Sequence, residues 1–261
     1  MRRFGDSALV RICVVALCVS LCTAAGASGD NEKPRAVEKL SPLAKGITLP
    51  VQMDRTLHAG KTKVGTTFSA TTTQRVPVSQ DAFLNRGAKV YGEVVTSDAG
   101  DGTGSHSSVL AFRFTKLKYR GETVPVETTA VAAASRMAVD DTFFPTTGGP
   151  DRGNASAASW NTMQVGGEQV NRSGWVGDVI AQGLQKVGSA DYYGVYSLPV
   201  KLDGGMVPLA MGVFATTAKG LYGYDYDTGM ESEGGLITIT DPKHAVLQSG
   251  DNLLLMVVHS R

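Results

Sequence analysis

The fold is decided by the stretch KGITLPVQMDRTLHAGKTKVGTTFSATTTQRVPVSQDAFLNRGAKVYGEVVTSDAG (residues 45–100), followed by SSVLAFRFTKLKYRGETVPVETTAV (residues 107–131). Short runs rich in Val and Thr alternate in period two and are separated by Gly, Pro and Asn, which predicts strands joined by tight turns. The predicted strands are 47–53, 66–73, 75–78, 88–96, 108–117 and 123–133. Because proline cannot donate to a ladder, Pro50 predicts an edge strand or a bulge.

The remainder of the chain continues the β pattern. Further strands are predicted at 206–216, 220–225, 236–240 and 252–259. Between residues 176 and 188 the apolar spacing also fits one helix face, but Gly177, Gly183 and Gly188 would each weaken a helix by up to about 1 kcal/mol, which favours strands. The sequence thus predicts an all-β protein of about eleven strands, a β-barrel or barrel-like sandwich closed by pairing of the N- and C-terminal strands.

The N-terminus has the features of a secretory signal peptide over residues 1–27. Arg2, Arg3 and Arg11 precede an apolar run of about ten residues that is too short to span a bilayer. Small residues at 25–27 place the expected cleavage before Ser28. A short membrane anchor and acylation at Cys22 are the alternatives, and Leu21 before Cys22 is bulkier than a lipobox prefers. No transmembrane segment is expected after signal cleavage.

Composition divides the rest of the chain into four parts. A charged stretch lacking apolar periodicity predicts a flexible tether over 28–45, and the strands of 46–134 form a β-barrel-like half. Small and turn-forming residues predict a loop or boundary over 135–159. Residues 160–261 are a second β half, expected to close the same barrel or to form a second domain.

Cysteine usage and charge exclude several functions. All three cysteines lie in the signal, so the exported chain would have no thiol nucleophile, no Cys-based zinc site and no disulfide. The signal carries three arginines and one aspartate, which leaves 22 of 25 basic and 23 of 24 acidic side chains. Because the basic residues are scattered, no nucleic-acid partner is expected.

Motifs that bind cofactors or perform catalysis are not apparent. The four histidines share no metal-binding spacing, and no nucleophile elbow, Walker loop or dinucleotide fingerprint occurs, so no cofactor is expected. Asp225, Asp227 and Glu231, with Glu233, surround Gly229 in a carboxylate-rich turn. Such a turn could coordinate calcium, although the order of an EF-hand loop is absent and a solvated hairpin tip is the simpler interpretation.

Tyrosines are concentrated late in the chain. Tyr192, Tyr193 and Tyr196 are the candidate binding residues, because clustered tyrosines can form a stacking surface for a glycan or a protein. The alternative is an aromatic core with cross-strand pairs. Alternation at 222, 224 and 226 predicts that those three tyrosines share one sheet face.

Three segments of the first half resemble a known family. GITLPV (46–51), GAKVYG (87–92) and the apolar strand and hairpin of 112–122 are similar to the barrel domain of the conjugal-transfer TrbI-like family of type IV secretion machines. The C-terminal AVLQSGDNLLLMVV (245–258) is similar to that family's closing strand pair. The resemblance implies an envelope-associated barrel closed by the two chain ends. SWNT (159–162) and QVGG (164–167) also resemble uncharacterised secreted proteins of environmental bacteria.

These observations predict an exported, non-enzymatic β-domain that acts as a structural or interaction module in the periplasm or outside the cell, with a protein or glycan partner. The alternative is a carbohydrate-active hydrolase or glycan-binding module that uses the tyrosines and carboxylates such as Asp140 and Asp141, since glycosidases need two acidic residues at a defined separation. A calcium-stabilised adhesin-like module is a third hypothesis. The sequence predicts no oligomeric state.

Overall fold

In this computed structural model the described residues are nearly all β, with 56% of them in strands and 3% in helix. The structure describes residues 34–142, 145–147, 159–203 and 205–261. Its centre is a closed six-stranded antiparallel barrel with additional strands around it. The prediction of an all-β barrel is therefore confirmed.

The elements of the first half, in chain order, are β1 (Arg35–Ala36), β2 (Thr48–Met53), β3 (Leu57–His58), β4 (Thr67–Thr72), β5 (Val76–Pro77), β6 (Ala82–Leu84), β7 (Lys89–Asp98), β8 (Ser108–Tyr119), β9 (Glu122–Ala134) and the single described helix, α1 (Arg136–Asp141). Those of the second half are β10 (Pro145–Thr147), β11 (Ser159–Met163), β12 (Gln169–Ser173), β13 (Val176–Ile180), β14 (Lys186–Asp191), β15 (Gly194–Leu202), β16 (Gly205–Ala210), β17 (Gly220–Tyr222), β18 (Gly229–Glu233), β19 (Leu236–Asp241), β20 (Val246–Leu247) and β21 (Asn252–Ser260).

The barrel is closed by the first long strand and the last one. Its order is β9, β21, β2, β4, β7 and β8, and β8 pairs back to β9. Leu49 lies opposite Leu255 and Val51 opposite Leu253, which confirms the predicted pairing of the two chain ends. The edge position inferred from Pro50 is wrong, because β2 lies between β21 and β4. Proline is accommodated because the ladder to β4 begins only at Val51.

Large side chains fill the barrel interior. The rings of three buried phenylalanines pack edge to face, with ring centroids 5.3–6.0 Å apart: Phe68, Phe112 and Phe114. Burying each ring contributes roughly 1.5–3 kcal/mol. Gly92 is needed beside them, because a Cβ there would lie 2.6 Å from the Phe68 ring. The barrel interior is therefore a packed core that supports the surrounding strands.

A seven-stranded antiparallel sheet, β10 to β16 in consecutive order, covers part of the barrel's outer surface. Its buried valines, among them Val170 and Val179, form a second core with Leu254 of β21 and the small residues Ala132 and Ala134 of β9. Leu253 and Leu255 point into the barrel instead. Strand β21 is thus buried on both faces, which explains its continuous apolar sequence.

Two of the predicted segments differ from the structure where it describes them. In the expected tether, β1 pairs with β6, and Leu40 and Leu43 are buried in the barrel core because apolar side chains punctuate the charged stretch. At the start of the expected boundary, Ser135 caps α1 by accepting a hydrogen bond from the Ala138 amide. The predicted signal peptide, residues 28–33 and most of 143–158 lie outside the described residues. In the described part of the chain, no helix has the length and apolar character needed to cross a membrane.

Candidate functional site

Two hairpin tips of the seven-stranded sheet meet at one end. In a meander, alternate turns lie at the same end of the sheet. The β12–β13 turn contains Trp175, because Ser173 pairs with Val176, and the β14–β15 turn consists of Tyr192 and Tyr193, because Asp191 pairs with Gly194. The connection thus brings together aromatic residues that are 17 positions apart in sequence.

These three residues form an exposed aromatic surface, here called the aromatic edge (Trp175, Tyr192 and Tyr193). The Trp175 and Tyr192 rings pack edge to face with centroids 5.4 Å apart, and Tyr192 and Tyr193 do so at 5.5 Å. Their side chains remain 66%, 69% and 48% exposed. Contiguous aromatic rings left open to water are typical of binding surfaces.

The turn that presents the tyrosines is fixed by hydrogen bonds. Asp191 Oδ1 accepts the Tyr193 amide at 2.7 Å and the Gly194 amide at 3.0 Å, as in an Asx-turn. Gly194 has φ +150°, and a Cβ there would lie 2.5 Å from Gln74 Oε1, so glycine is required. The turn is consequently a rigid platform.

Gln74, which is 4% exposed, connects this turn to the barrel. Its Oε1 accepts the Val195 amide at 3.0 Å and the Gly212 amide at 2.9 Å, while Nε2 donates to the Val195 carbonyl at 2.9 Å. One side chain thereby satisfies three backbone groups of the second half.

Arg75 extends the aromatic edge. The carbon of its guanidinium lies 3.3 Å from the ring centroid of Tyr193 and 3.8 Å from that of Phe83, which are cation–π contacts. Its amide also donates to the Tyr193 carbonyl at 3.2 Å. The two rings contact the guanidinium at separate places and thereby restrict its orientation.

A cavity of about 620 Å³, here called the arginine cleft, lies beside the aromatic edge. Its lining includes Tyr192, Tyr193 and the three arginines Arg75, Arg86 and Arg172. Arg172 donates to the Asp191 carbonyl at 2.9 Å. Burial lowers the pKa of Arg172, and the charge of Asp191 opposes that shift. Three guanidinium groups around one carboxylate give the cleft a positive balance.

The third predicted binding residue lies apart from this surface. Tyr196 is only 8% exposed, because it is the second residue of strand β15 after Gly194 and faces inward, so including it in the same stacking surface as Tyr192 and Tyr193 is wrong. It lines a smaller cavity of about 260 Å³. Arg75 and Asp191 line both this cavity and the arginine cleft.

The carboxylate turn is not assembled into a metal site. Asp225 and Asp227 lie before β18, whereas Glu231 lies within that strand, and all three are exposed. Across the described residues, no group of three or more His, Cys, Asp or Glu side chains is arranged to hold a metal ion. The predicted common sheet face for Tyr222, Tyr224 and Tyr226 is also wrong, because β17 ends at Tyr222 and Tyr226 is fully exposed.

A cavity of about 550 Å³ contains two buried aspartates, Asp241 and Asp251. Asp241 accepts hydrogen bonds from the Thr228 hydroxyl and the Lys243 and His244 amides at 2.6–2.8 Å. Burial acts to raise the pKa of Asp241, but these bonds outweigh it and lower the pKa below its ordinary value. Its oxygens thus hold the turn after β19.

Asp251 has the opposite shift. It accepts the Arg136 amide at 2.9 Å, the Gln248 amide at 2.7 Å and the Tyr224 hydroxyl at 2.9 Å. Burial raises the pKa of Asp251 despite these bonds. Both carboxylates accept hydrogen bonds from groups in the surrounding loops. We therefore interpret Asp241 and Asp251 as structural anchors of these loops.

The acidic pair of the hydrolase hypothesis, Asp140 and Asp141, lies in α1. Asp140 lines a cavity of about 460 Å³, and both residues are exposed. Consecutive helical residues point about 100° apart, so the two carboxylates do not converge on one substrate position. The pair does not have the arrangement that glycoside hydrolysis needs.

Sequence reasoning missed Trp175, Arg75, Gln74 and Arg172. Trp175 had a local signal, since a tryptophan after a glycine in a two-residue turn is placed to be exposed. Arg75 and Gln74 had none, because their partners in the second half lie 118 to 138 positions away.

Comparison with known proteins adds no assignment: no protein-family model matches the chain, and neither a curated protein nor a solved structure matches it significantly.

Proposed function

We propose that this protein is a non-enzymatic interaction module that binds a glycan at the cell envelope or outside the cell. The observation that carries the proposal is the aromatic edge, whose three rings pack edge to face and are left open to water beside the arginine cleft. A pyranose ring has an apolar face of C–H groups that packs against an aromatic ring. Its hydroxyls accept hydrogen bonds from arginine at the rim.

The shape of the site favours a glycan over a protein partner. A stable protein interface buries about 800 Å² on each side, in a patch whose core is largely apolar. Here the rings border a concave cleft of about 620 Å³ with charged walls. Clefts of this size enclose small ligands, and a short run of sugar units fits that description.

Export is part of the proposal and rests on the order of basic, apolar and small residues in 1–27. The resemblance to secretion-machine barrels supports an envelope location. We expect the mature protein, isolated from a secreting bacterial host, to begin at Ser28, as measured by intact mass and N-terminal sequencing. A mature chain that retains residues 1–27 would contradict export by cleavage.

The binding function predicts a large effect of truncating the aromatic edge. Replacing Trp175 or Tyr192 with alanine should weaken binding to the best ligand of an oligosaccharide panel by about 30-fold, which corresponds to about 2 kcal/mol, because central aromatic contacts dominate binding energy. Isothermal titration calorimetry measures the change. Both residues are exposed, so the free energy of unfolding should change by less than about 0.5 kcal/mol.

The matched control is Tyr226→Ala, which removes a fully exposed tyrosine that lines none of the cavities described above. Its affinity should equal that of the wild type. If no oligosaccharide binds, or if Trp175→Ala and Tyr192→Ala bind as tightly as Tyr226→Ala, the proposed function is wrong.

A further inference from the structure

The cavity that Tyr196 lines, here called the inner pocket, contains two buried hydrogen-bonding atoms without a partner. They are the Tyr196 hydroxyl and Arg75 Nε, neither of which makes a hydrogen bond within the described residues. Tyr196 is more than nine-tenths buried. Buried polar groups are nearly always paired, so two unpaired atoms on residues that line one cavity of about 260 Å³ require an explanation.

Both atoms are suited to donate. Arg75 Nε–H can only donate, and burial, with the nearby charge of Asp191, raises the pKa of Tyr196, so its hydroxyl stays protonated at neutral pH. Two donors beside one cavity fit a group with two acceptor oxygens. The Phe83 and Tyr193 rings restrict Arg75, which leaves the edge of its guanidinium for a planar, bidentate acceptor such as a carboxylate.

The described lining of the inner pocket carries one positive group, Arg75, and one negative group, Asp191. Asp191 is the one carboxylate of the described lining, and its Oδ1 is engaged by the Tyr193 and Gly194 amides. Arg75 forms no salt bridge with any described residue. Its positive charge is therefore available to a ligand.

The lining of the inner pocket combines apolar and polar residues. Phe83, Pro77 and Pro208 supply apolar surface, and Arg75 is shared with the arginine cleft. A ring with an apolar face and one carboxylate would satisfy both parts of this lining.

We propose that the inner pocket binds the carboxylate of an acidic sugar, with Arg75 and Tyr196 as its donors. The inference rests on the proposed glycan-binding function and narrows the ligand to glycans that contain uronic acids. The two unpaired donors are then a preformed binding site. The free energy that their burial costs in the free protein is regained when they donate to the ligand.

The test compares monosaccharides that differ in the charge of the carboxylate and in one methyl group, which avoids any dependence on linkage. Glucuronate and galacturonate, and the methyl ester of each, are titrated into the full exported chain with ¹³C-labelled tyrosines, and affinities are read from chemical-shift changes. We expect at least one acid to bind tenfold or more tightly than its ester. Tyr196→Phe should remove most of this preference, because it deletes only the hydroxyl, and it should fold as stably as the wild type or more so.

Arg75→Lys should weaken the acid by a similar factor, since lysine keeps the charge but loses Nε and the planar edge. Tyr91→Phe and Arg113→Lys, on the barrel strands β7 and β8, are the controls and should not alter the ratio of acid to ester affinity. Equal binding of acids and esters would overturn the inference and leave the proposed function standing, with the orphan donors satisfied by water alone. An unchanged ratio in Tyr196→Phe would also overturn it. Binding of neither sugar form, together with an oligosaccharide panel that gives no ligand, would overturn both.

Discussion

Replacing Gln74 with leucine is expected to lower the free energy of unfolding by about 2–6 kcal/mol, because each buried group left unpaired costs about 1–3 kcal/mol. The Val195 and Gly212 amides lose their acceptor, whereas the Val195 carbonyl loses Gln74 Nε2 but still accepts the Met211 amide at 2.9 Å. Urea denaturation followed by circular dichroism measures the loss. We also expect weaker glycan binding, because Gln74 supports the turn that presents Tyr192 and Tyr193.

Gln52→Leu is the matched control. Gln52 lies on β2, is exposed, and makes one long hydrogen bond, 3.3 Å, to the Gly250 carbonyl, so the same substitution should change stability by less than about 0.5 kcal/mol. Gln74→Glu should lie between the two, since a carboxylate still accepts both amides but cannot donate to Val195. A Gln74→Leu variant as stable as Gln52→Leu would show that the junction does not depend on this side chain.

The barrel was predictable because its signals are local and repeated. Period-two alternation and turn residues indicated β2, β4, β7, β8 and β9, and residues 252–259, which form most of β21, were also predicted as a strand. Pairing of β2 with β21 was inferred from the resemblance of the two chain ends to a known barrel, and Leu49 opposite Leu255 confirms it.

Other parts of the fold depend on contacts that local patterns do not encode. The charged residues of the expected tether obscured Leu40 and Leu43, which are buried in the barrel core, and β1, which pairs with the distant β6. Tyr222, Tyr224 and Tyr226 alternate as in a strand, yet the chain bends at Gly223, where φ is +71°. Tertiary packing overrides the local preference at these positions.

The candidate site was predictable only in part, because it also depends on tertiary contacts. Tyr192 and Tyr193 were indicated by their clustering, but exposure distinguishes them from Tyr196, and exposure depends on the register of β14 against β15. Arg75 joins them only through the packing of the barrel against the second half. The chemistry of the site, a guanidinium between two rings, is therefore a property of the fold and not of any sequence motif.

The second large effect concerns Asp251, which is 1% exposed and accepts two amides and the Tyr224 hydroxyl. Replacing it with alanine should cost about 3–6 kcal/mol at pH 7, because three buried donors lose their acceptor. These donors belong to α1, to the turn before β21 and to the segment after β17, so the loss should reduce the cooperativity of the barrel's end as well as its stability. Urea denaturation at pH 7 measures the change.

The pH dependence of this loss separates Asp251 from its neighbour Asp241. Burial raises the pKa of Asp251 in the folded state, so the native protein holds that proton more tightly than the unfolded chain does. The stabilisation that Asp251 contributes is therefore fully present below about pH 3.8 and declines as the pH rises through the folded pKa. For Asp241 the pKa is lowered, so its stabilisation is present above about pH 3.8 and is lost as the pH falls through the folded pKa. The difference in unfolding free energy between wild type and Asp251→Ala should therefore shrink between pH 3 and pH 7, whereas that between wild type and Asp241→Ala should grow. Urea denaturation of the wild type and both variants across this pH range measures the two differences. If both differences change with pH in the same direction, the assignment of opposite pKa shifts to the two aspartates is wrong.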